Sequence, residues 1–416
     1  MAQTDRQYEA VVFGATGYTG KLTAEYITAS LPTDFKWAIA GRSESKLTML
    51  AAELQSQNPD RIQPSIEVAQ LEKADLLRLA KSTKVLITTV GPYHKYGSAV
   101  VEACVETGTH YLDVTGEVPW VRDMIMKYHD KAKSTGAIII PQNGIESAPT
   151  DLMCWALVSH IRRTLSVGTG EIIYSIHDIN ATASGGTLST ILTLFDSYSL
   201  SDLARSFSRW NLSIVAPPKQ SHSRPIWERV SGLRMEHALG GLLTDSIQGP
   251  TDIPLVHRSW SLYGGGEYYG PNFYLSAYMR AKTLFRGIII HLALTFGFLV
   301  LILPPVRWLL QRLVTQPGDG PSKEQASKEF VEWRAVAHAD VTDPSDPKRV
   351  MGRMRYDGSM YYLTGLLLAE AAITIARDQT PAHKMGGGLL TPATLGEAYY
   401  ERVHKGGLFT EIRMMP

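Results

Sequence analysis

Cysteine is scarce in this chain of 416 residues, which contains only Cys104 and Cys154. Two cysteines cannot form a disulfide-dense scaffold, and these two lack the spacing of zinc ligands. We therefore expect no metal site. We also expect both thiols to be buried, in a protein of a reducing compartment.

An excess of charge of one sign is also missing, because 41 Lys and Arg residues stand against 40 Asp and Glu residues. This balance produces no extended field that would attract a polyanion, so a nucleic-acid partner is not expected. The N-terminal sequence MAQTDRQYEA lacks the apolar core of a secretory signal. The first domain is therefore expected to face the cytosol.

Hydrophobic residues, in contrast, make up 44% of the chain, as in globular proteins that bury a core. At about 150 residues per domain, the length favours two domains. Over residues 1–150, short β-rich segments alternate with helical ones, which predicts an α/β domain with a doubly wound parallel sheet of the Rossmann type. Residues 151–385 are predicted to form an α+β domain for substrate and oligomerisation, and residues 386–416 to pack back on the first domain.

The second domain is predicted to carry a mixed or antiparallel sheet. Two β-rich segments, 330–341 and 349–356, flank a turn with two Asp-Pro pairs and predict a hairpin. The apolar segment 361–377 is predicted to be a helix that covers this sheet. Residues 210–275 show weak periodicity and indicate long connections with isolated strands.

A glycine-rich loop follows the first predicted strand and opens the first predicted helix. Its residues are Gly14, Ala15, Thr16, Gly17, Tyr18, Thr19 and Gly20. In such a loop the first glycine allows a tight turn, the second lets the backbone approach a pyrophosphate, and the third allows close packing of the helix. The helix N-terminus adds N–H groups and a partial positive charge for the phosphates. The loop therefore predicts a dinucleotide site.

The end of the second predicted strand distinguishes NAD from NADP. An acidic side chain there accepts bonds from the ribose 2′-hydroxyl, whereas it would repel a 2′-phosphate. This chain instead has Arg42, whose planar guanidinium matches a phosphate, followed by Ser43 and, one helical turn on, Lys46. We therefore predict NADPH as the cofactor. The alternative is a plain turn beside a solvated surface arginine.

The fourth predicted strand ends in a segment that carries candidate proton donors. Val90, Gly91 and Pro92 would bring the backbone close to the nicotinamide ribose. Reduction of a polarised double bond needs a hydride and then a proton, so Tyr93 or His94 is predicted to be the general acid. The alternative is that His94 is a solvated loop residue and Tyr93 only packs on the cofactor.

Two other segments are candidates for supporting roles. Asp113 and Glu117 follow the fifth predicted strand and are expected to orient loops by accepting backbone N–H bonds. A Ser-Gly-Gly-Thr segment in the second domain precedes a predicted helix, whose N–H groups would bind a substrate carbonyl or carboxylate. A simple helix start explains that segment equally well. Its residues are Ser184, Gly185, Gly186 and Thr187.

Together with the glycine loop, several blocks of this chain resemble the saccharopine dehydrogenase-like oxidoreductase family. The blocks are Ala40-Gly41-Arg42, Val90-Gly91-Pro92-Tyr93, the segment 104–117, and the glycine-rich segment 386–393. Where the family tends to read G-F-D-S-x-P-S-D-L, this chain reads G-I-E-S-A-P-T-D-L, so Glu146 replaces an aspartate. The resemblance is weak over residues 205–320.

This family includes trans-acting enoyl reductases of lipid and polyketide assembly. The resemblance therefore implies NADPH-dependent reduction of a C=C bond conjugated to a carbonyl, in a hydrophobic lipid, polyketide or terpenoid-like intermediate, either free or carrier-bound. Reduction of a C=N or C=O bond is the alternative enzyme class, and a non-catalytic NADPH-binding protein of lipid droplets is the alternative without catalysis. Saccharopine dehydrogenases act on a charged amino-dicarboxylate, which needs several arginines, and no arginine cluster is expected in the second domain.

A long apolar run interrupts the second half of the chain. Residues 287–306 are uncharged, contain His291 and end near Pro304 and Pro305. The length approaches the roughly 20 residues of a spanning helix. Spanning would separate catalytic segments that lie on both sides of the run. A monotopic contact of 283–313 with a membrane or lipid droplet at its cytoplasmic face is therefore favoured over a spanning helix and over a core or homodimer helix.

Overall fold

The computed structural model describes residues 6–181, 192–218, 224–313, 321–341 and 347–416. Its contacts divide the chain into two compact units. The first unit comprises Met1–Ala148, Pro317–Gly320 and Ser359–Gly407, and the second comprises Pro149–Gln316, Pro321–Gly358 and Leu408–Pro416. The first unit thus includes a C-terminal portion of the chain in addition to the predicted N-terminal domain.

The first unit contains a parallel sheet in the order β13-β6-β5-β4-β1-β2-β3. This is the strand order of a dinucleotide-binding fold with one additional strand beside β6. Both faces are covered by helices, so the central strands are continuously apolar, as Val11 and Val12 in β1 illustrate. Its strands are β1 (Tyr8–Phe13), β2 (Trp37–Gly41), β3 (Ser65–Val68), β4 (Thr83–Thr88), β5 (His110–Leu112), β6 (Ile138–Ile140) and β13 (Gly388–Leu389).

The helices of the first unit connect and cover these strands. They are α1 (Tyr18–Ser30), α2 (Glu44–Gln57), α3 (Lys73–Ser82), α4 (Tyr93–Thr107), α5 (Val118–Thr135), α13 (Met360–Arg377), α14 (Pro381–Lys384) and α15 (Gly396–Lys405). The doubly wound parallel sheet predicted from the sequence is therefore confirmed.

Helix α13 packs against α1, which differs from the prediction that this segment covers the sheet of the second domain. A Cβ atom on Gly365 would lie 2.9 Å from the carbonyl oxygen of Leu22, so the two backbones approach closely. The hydroxyl of Tyr26 donates a hydrogen bond of 2.8 Å to Glu370 across the same contact. Because α13 is buried on nearly all sides, its periodicity could not indicate which sheet it covers.

The second unit contains a mixed sheet in the order β14-β12-β11-β7-β10-β9-β8. Among the described strands of this second sheet, only β10 and β7 pair in parallel. The strands are β7 (Thr169–Asn180), β8 (Leu233–Glu236), β9 (Gly241–Asp245), β10 (Tyr274–Arg280), β11 (Phe330–Ala339), β12 (Arg349–Asp357) and β14 (Phe409–Met414). The predicted mixed sheet and the β11–β12 hairpin are confirmed. Strand β14 belongs to this sheet, although the sequence predicts that 386–416 packs on the first domain.

Helix α6 covers one face of this second sheet. Its Met153 and Leu157 pack against Gly352 of β12, where an added Cβ would lie 3.3 Å from each of these two side chains. The helices of the second unit are α6 (Ala148–Leu165), α7 (Leu200–Ser206), α8 (Ile226–Ser231), α9 (Gly249–Leu262), α10 (Leu284–Leu301), α11 (Pro304–Leu313) and α12 (Lys323–Ala326). The predicted substrate-binding residues lie outside the described residues; these are Ser184, Gly185, Gly186 and Thr187.

Candidate functional site

The glycine loop folds as its spacing predicts. Gly14 has a φ of +89°, which residues with a side chain rarely adopt. Its N–H group donates to the carbonyl of Ala40 at 2.9 Å, so the loop turns against the end of β2. The N–H group of Gly17 then donates a hydrogen bond of 2.9 Å to the Gly14 carbonyl. At Gly20 an added Cβ would lie 2.2 Å from that same oxygen, so only glycine allows α1 to begin here.

The N-terminus of α1 fits a bound phosphate. The residue that precedes the helix is Gly17, so no side chain caps the first N–H groups, and the first turn contains no acidic residue. These N–H groups and the helix dipole favour an anion. A Cβ on Gly14 would also fill the space beside Val90, where the added atom would lie 2.8 Å from a methyl group. The loop is therefore shaped for a pyrophosphate.

The three residues predicted to bind the 2′-phosphate have different environments in the structure. Arg42 directly follows β2, is exposed, and pairs with no carboxylate among the described residues. Ser43 caps α2, because its hydroxyl accepts the N–H of Lys46 at 3.5 Å. Lys46 is exposed on the first turn of α2. Arg42 and Lys46 thus present cations beside the glycine loop, and Ser43 orients the helix that carries Lys46.

The segment after β4 lies against the glycine loop. The hydroxyl of Thr89 donates to the carbonyl of Gly14 at 3.2 Å, and the next residue, Val90, contacts the space beside Gly14. The peptide bond between Gly91 and Pro92 is cis. Because β1 and β4 are neighbours, their carboxyl ends meet where the strand order reverses, which is the usual ligand position in such sheets.

Tyr93 begins α4 and is buried. Its hydroxyl donates to the carbonyl of Thr88 at 3.1 Å and accepts the N–H of Val114 at 3.4 Å. Burial and the nearby carboxylate of Asp113 raise the pKa of Tyr93. The hydroxyl is therefore held by the backbone of two strand ends, and a proton leaves it with difficulty.

His94 is paired with Glu117. Its Nδ1 atom lies 2.6 Å from a carboxylate oxygen of Glu117, and both side chains are 1% exposed. The same carboxylate accepts the backbone N–H groups of Tyr93 and His94, each at 2.7 Å. Glu117 therefore caps the N-terminus of α4 and orients the imidazole, which confirms the prediction that it accepts backbone N–H bonds.

Asp113 organises the ends of β5 and β6. One carboxyl oxygen accepts the N–H groups of Thr115 and Gln142, at 2.9 and 3.0 Å. The other oxygen accepts the hydroxyl proton of Tyr111 at 2.7 Å. The predicted loop-orienting role of Asp113 is confirmed. Burial raises the pKa of Asp113 to about 7 against the lowering effect of these hydrogen bonds.

Gln142 is a candidate that the sequence reasoning missed. It follows β6 at the edge where β4 and β5 also end, and its φ is +62°, a conformation that is uncommon outside glycine. The residue is 1% exposed, and neither atom of its side-chain amide has a hydrogen-bond partner among the described residues. The polar Gln142-Asn143 pair directly after an apolar strand is the signal that would have found it.

The second unit assembles an arginine cluster that the sequence reasoning did not expect. Glu332 accepts hydrogen bonds from Arg334, Arg353 and Arg355, at 2.6, 2.9 and 3.1 Å. Burial alone would raise the pKa of Glu332, but these bonds outweigh it and lower that pKa to about 2. The three guanidinium groups are on neighbouring strands, β11 and β12, and share one carboxylate. They are therefore already paired within the protein.

The two cysteines are both buried, and burial raises the pKa of each thiol. The expectation that both thiols are buried is confirmed. Among the described residues, no group of three His, Cys, Asp or Glu side chains could hold a metal ion.

Comparison with known proteins agrees with this geometry. Residues 10–140 match the family described as the saccharopine dehydrogenase NADP binding domain. A Mycobacterium tuberculosis protein, named as a candidate trans-acting enoyl reductase, is 31% identical over 98% of both chains. A trans-acting enoyl reductase of Mycobacterium ulcerans is 29% identical over 98% of both chains.

Among solved structures, the apo saccharopine dehydrogenase (L-Glu forming) of Saccharomyces cerevisiae aligns with a TM-score of 0.56 at 11% identity, over 98% of this chain and 99% of that one. At this identity the likeness concerns the fold alone. The glycine loop, the position of Arg42 and the matched NADP-binding domain together make NADPH the cofactor. The chain belongs to the saccharopine dehydrogenase-like oxidoreductases, the family that includes the trans-acting enoyl reductases, and it is an NADP-dependent oxidoreductase.

Proposed function

We propose that this oxidoreductase reduces a C=C bond conjugated to a carbonyl, in a hydrophobic lipid, polyketide or terpenoid-like intermediate that is free or carrier-bound. The observation that carries the proposal is the His94–Glu117 pair, which lies at the carboxyl end of β4 beside the glycine loop. The names of the relatives support the same reaction class. Such substrates partition into lipid, so we also propose that the protein works at the cytoplasmic face of a membrane or lipid droplet.

Different residues of the site would bind the cofactor and supply the proton in such a reduction. The N–H groups of the Gly14–Gly20 loop would hold the pyrophosphate, and Arg42 and Lys46 the 2′-phosphate. Bound NADPH supplies a hydride for the β-carbon. The protein must then deliver a proton to the α-carbon, because the electron pair of the double bond moves toward the carbonyl.

His94 is the better proton donor of the two predicted candidates. The Tyr93 hydroxyl is held by two backbone groups, and its pKa is raised. In His94 the Nδ1 atom faces Glu117, so the transferable proton would be on Nε2. The Glu117 carboxylate keeps the ring in one orientation. Glu117 is thus a positioning residue, and His94 the proposed catalytic one.

The test is a product analysis with NADPH deuterated at C4. The purified protein is incubated with α,β-unsaturated acyl thioesters of short and long chain, and with matched ketones and imines. We expect NADPH oxidation with long-chain enoyl thioesters and one deuterium at the β-carbon of the product. We expect His94→Asn to abolish turnover while NADPH affinity stays within a factor of about two, since His94 does not contact the phosphates.

Other outcomes would assign the alternatives. Deuterium on a carbinol or amine carbon would move the protein to the carbonyl or imine reductases. Tight NADPH binding without oxidation by any of these substrates would identify a non-catalytic NADPH-binding protein.

A further inference from the structure

Helices α10 and α11 expose an apolar surface of the second unit, and α8 lies beside the start of α10. We call this surface the apolar patch. Its exposed side chains include Trp227, Val230, Phe285, Phe296, Leu303 and Trp308, each between 53% and 75% exposed. Among the described helices, α10 alone is long and apolar enough to cross a membrane, yet only 6% of it is buried. Exposed apolar side chains that adjoin one another mark an interaction surface.

The first half of α10 is fixed to the sheet of the second unit. The hydroxyl of Thr244 in β9 donates to the carbonyl of Gly287 at 2.9 Å. A Cβ on Gly287 would lie 2.6 Å from a methyl group of Leu233, so the helix lies directly on β8. One turn further, Nδ1 of His291 lies 2.7 Å from a carboxylate oxygen of Asp245. These contacts hold α10 on protein as far as His291.

The remaining length is too short to cross a bilayer. From Leu292 the helix continues only to Leu301, a rise of about 15 Å. A hydrocarbon core of about 30 Å needs roughly 20 residues. At the far end, Arg307 donates to the carbonyls of Leu301 and Ile302, at 3.1 and 3.0 Å, and keeps a charge at the bend into α11. The geometry thus favours entry from one side of a membrane over spanning.

The charges around the patch indicate what covers it. Between Glu267 and Asp319 the sequence has no acidic residue, whereas it has five basic ones, Arg280, Lys282, Arg286, Arg307 and Arg312. In space, two of these basic side chains have an acidic neighbour, because Lys282 lies 3.7 Å from Asp178 and Arg307 lies 4.0 Å from Asp196. Arg286 is exposed on the first turn of α10. Basic side chains along an exposed apolar surface complement anionic phospholipid headgroups above acyl chains. The exposed Trp227 and Trp308 are residues that prefer this interface.

We infer that the apolar patch is a monotopic anchor that enters one leaflet of an anionic phospholipid surface, with α10 beyond His291 and α11 as the inserted part. This inference rests on the part of the proposed function that places the protein at lipid. It goes beyond that proposal by naming the residues, the depth and the lipid charge. Its test does not depend on turnover.

The first experiment is flotation of the full chain with vesicles of phosphatidylcholine alone or mixed with phosphatidylserine. We expect binding to the mixed vesicles, at least tenfold weaker binding to the neutral ones, and weakening by salt. Phe296→Asp combined with Leu303→Asp is expected to abolish binding. Met126→Asp is the matched control, because Met126 is 74% exposed on the first unit. Circular dichroism and thermal unfolding of each sample report that every variant is folded.

The second experiment distinguishes one-sided insertion from spanning. Glu267→Cys and Glu324→Cys place single thiols before α10 and after α11, at exposed side chains that are not among the basic residues of the patch. The native cysteines are buried and should not react. With protein added to sealed vesicles, we expect an impermeant maleimide to label both sites.

Three results would overturn the inference. Protection of Glu324→Cys alone would mean spanning. If the protein floats equally well with neutral and with anionic vesicles, the basic residues do not contribute to binding. A dimer that the Phe296→Asp and Leu303→Asp pair dissociates, without vesicle binding by the native chain, would mean that a second copy covers the patch. In each case the deuterium experiment above still decides the reaction, so the two proposals fail separately.

Discussion

The Nδ1 atom of His94 lies 2.6 Å from Oε2 of Glu117, in a pair whose side chains are each 1% exposed. The same carboxylate binds the first N–H groups of α4. One side chain therefore fixes both the start of the helix and the orientation of the imidazole. The position of the proposed proton donor thus depends on a residue from another loop.

Replacing this carboxylate should separate chemistry from cofactor binding. In Glu117→Gln we expect kcat to fall by about one to two orders of magnitude, because the imidazole loses the carboxylate that holds its orientation. The affinity for NADPH should stay unchanged, and the cap loss should lower stability by about 1 kcal/mol. Glu102→Gln serves as control, because Glu102 lies within α4 and accepts a hydrogen bond from Tyr128. Equal losses of NADPH affinity and kcat would indicate a purely structural role for Glu117.

The glycines of the loop should respond differently to alanine. Gly20→Ala places a Cβ 2.2 Å from the Gly14 carbonyl, so we expect severe destabilisation, about 3 kcal/mol or more. At Gly17 the same atom would lie 3.3 Å from that oxygen. Gly17→Ala should therefore fold and lose mainly NADPH affinity. Thermal unfolding with calorimetric NADPH titration checks both, and an unfolded Gly17→Ala variant would contradict this interpretation.

Arg42 should determine the preference for NADPH over NADH. A charge-assisted bond contributes about 1.5–3 kcal/mol, so Arg42→Ala should weaken NADPH binding by roughly tenfold to a hundredfold. NADH binding should not change, because NADH has no 2′-phosphate. Lys36→Ala is a matched control, since Lys36 is exposed at the other end of β2. If Arg42→Ala lowers the affinity for NADPH and for NADH by the same factor, the arginine does not bind the 2′-phosphate.

Asp113 should give the protein a pH-dependent stability below neutrality. Burial raises its pKa from 3.8 to about 7 in the folded state. As pH rises through this window, the unfolded chain loses the proton first, so ionisation favours unfolding and stability falls. Asp113→Asn removes this titration. Urea unfolding at several pH values should show the wild type losing stability relative to the variant between these pKa values. A constant difference would contradict the raised pKa.

Glu332 should affect the pH dependence of stability in the opposite direction to Asp113, and at lower pH. Its folded pKa of about 2 is below the ordinary 4.5. The stability that it contributes is therefore present above 4.5 and is lost as pH falls toward 2. In Glu332→Gln, three arginines lose their shared carboxylate, and the acid-induced loss should shrink. Glu411→Gln on β14, with a side chain 44% exposed, should retain the wild-type acid profile.

Local motifs accounted for the parts that the sequence predicted well. The glycine loop, the Arg42 position and the alternation of strands and helices up to residue 150 depend on backbone rules that act over a few residues. The parts that were missed depend on a choice of partner. Helix α13 is apolar on nearly all sides and strand β14 alternates weakly, so neither pattern could identify the sheet that each joins.

The sequence by itself determined the dinucleotide-binding domain, because a turn that only glycine can make and an arginine after the next strand are local requirements. Tertiary structure alone decided which side chains meet. Glu117 reaches His94, three arginines share Glu332, and His291 in the apolar run bonds to Asp245. Apart from Arg334, which is two positions from Glu332, these contacts join residues at least 21 positions apart in the chain. The free energy that pairs them comes from packing, which no local pattern records.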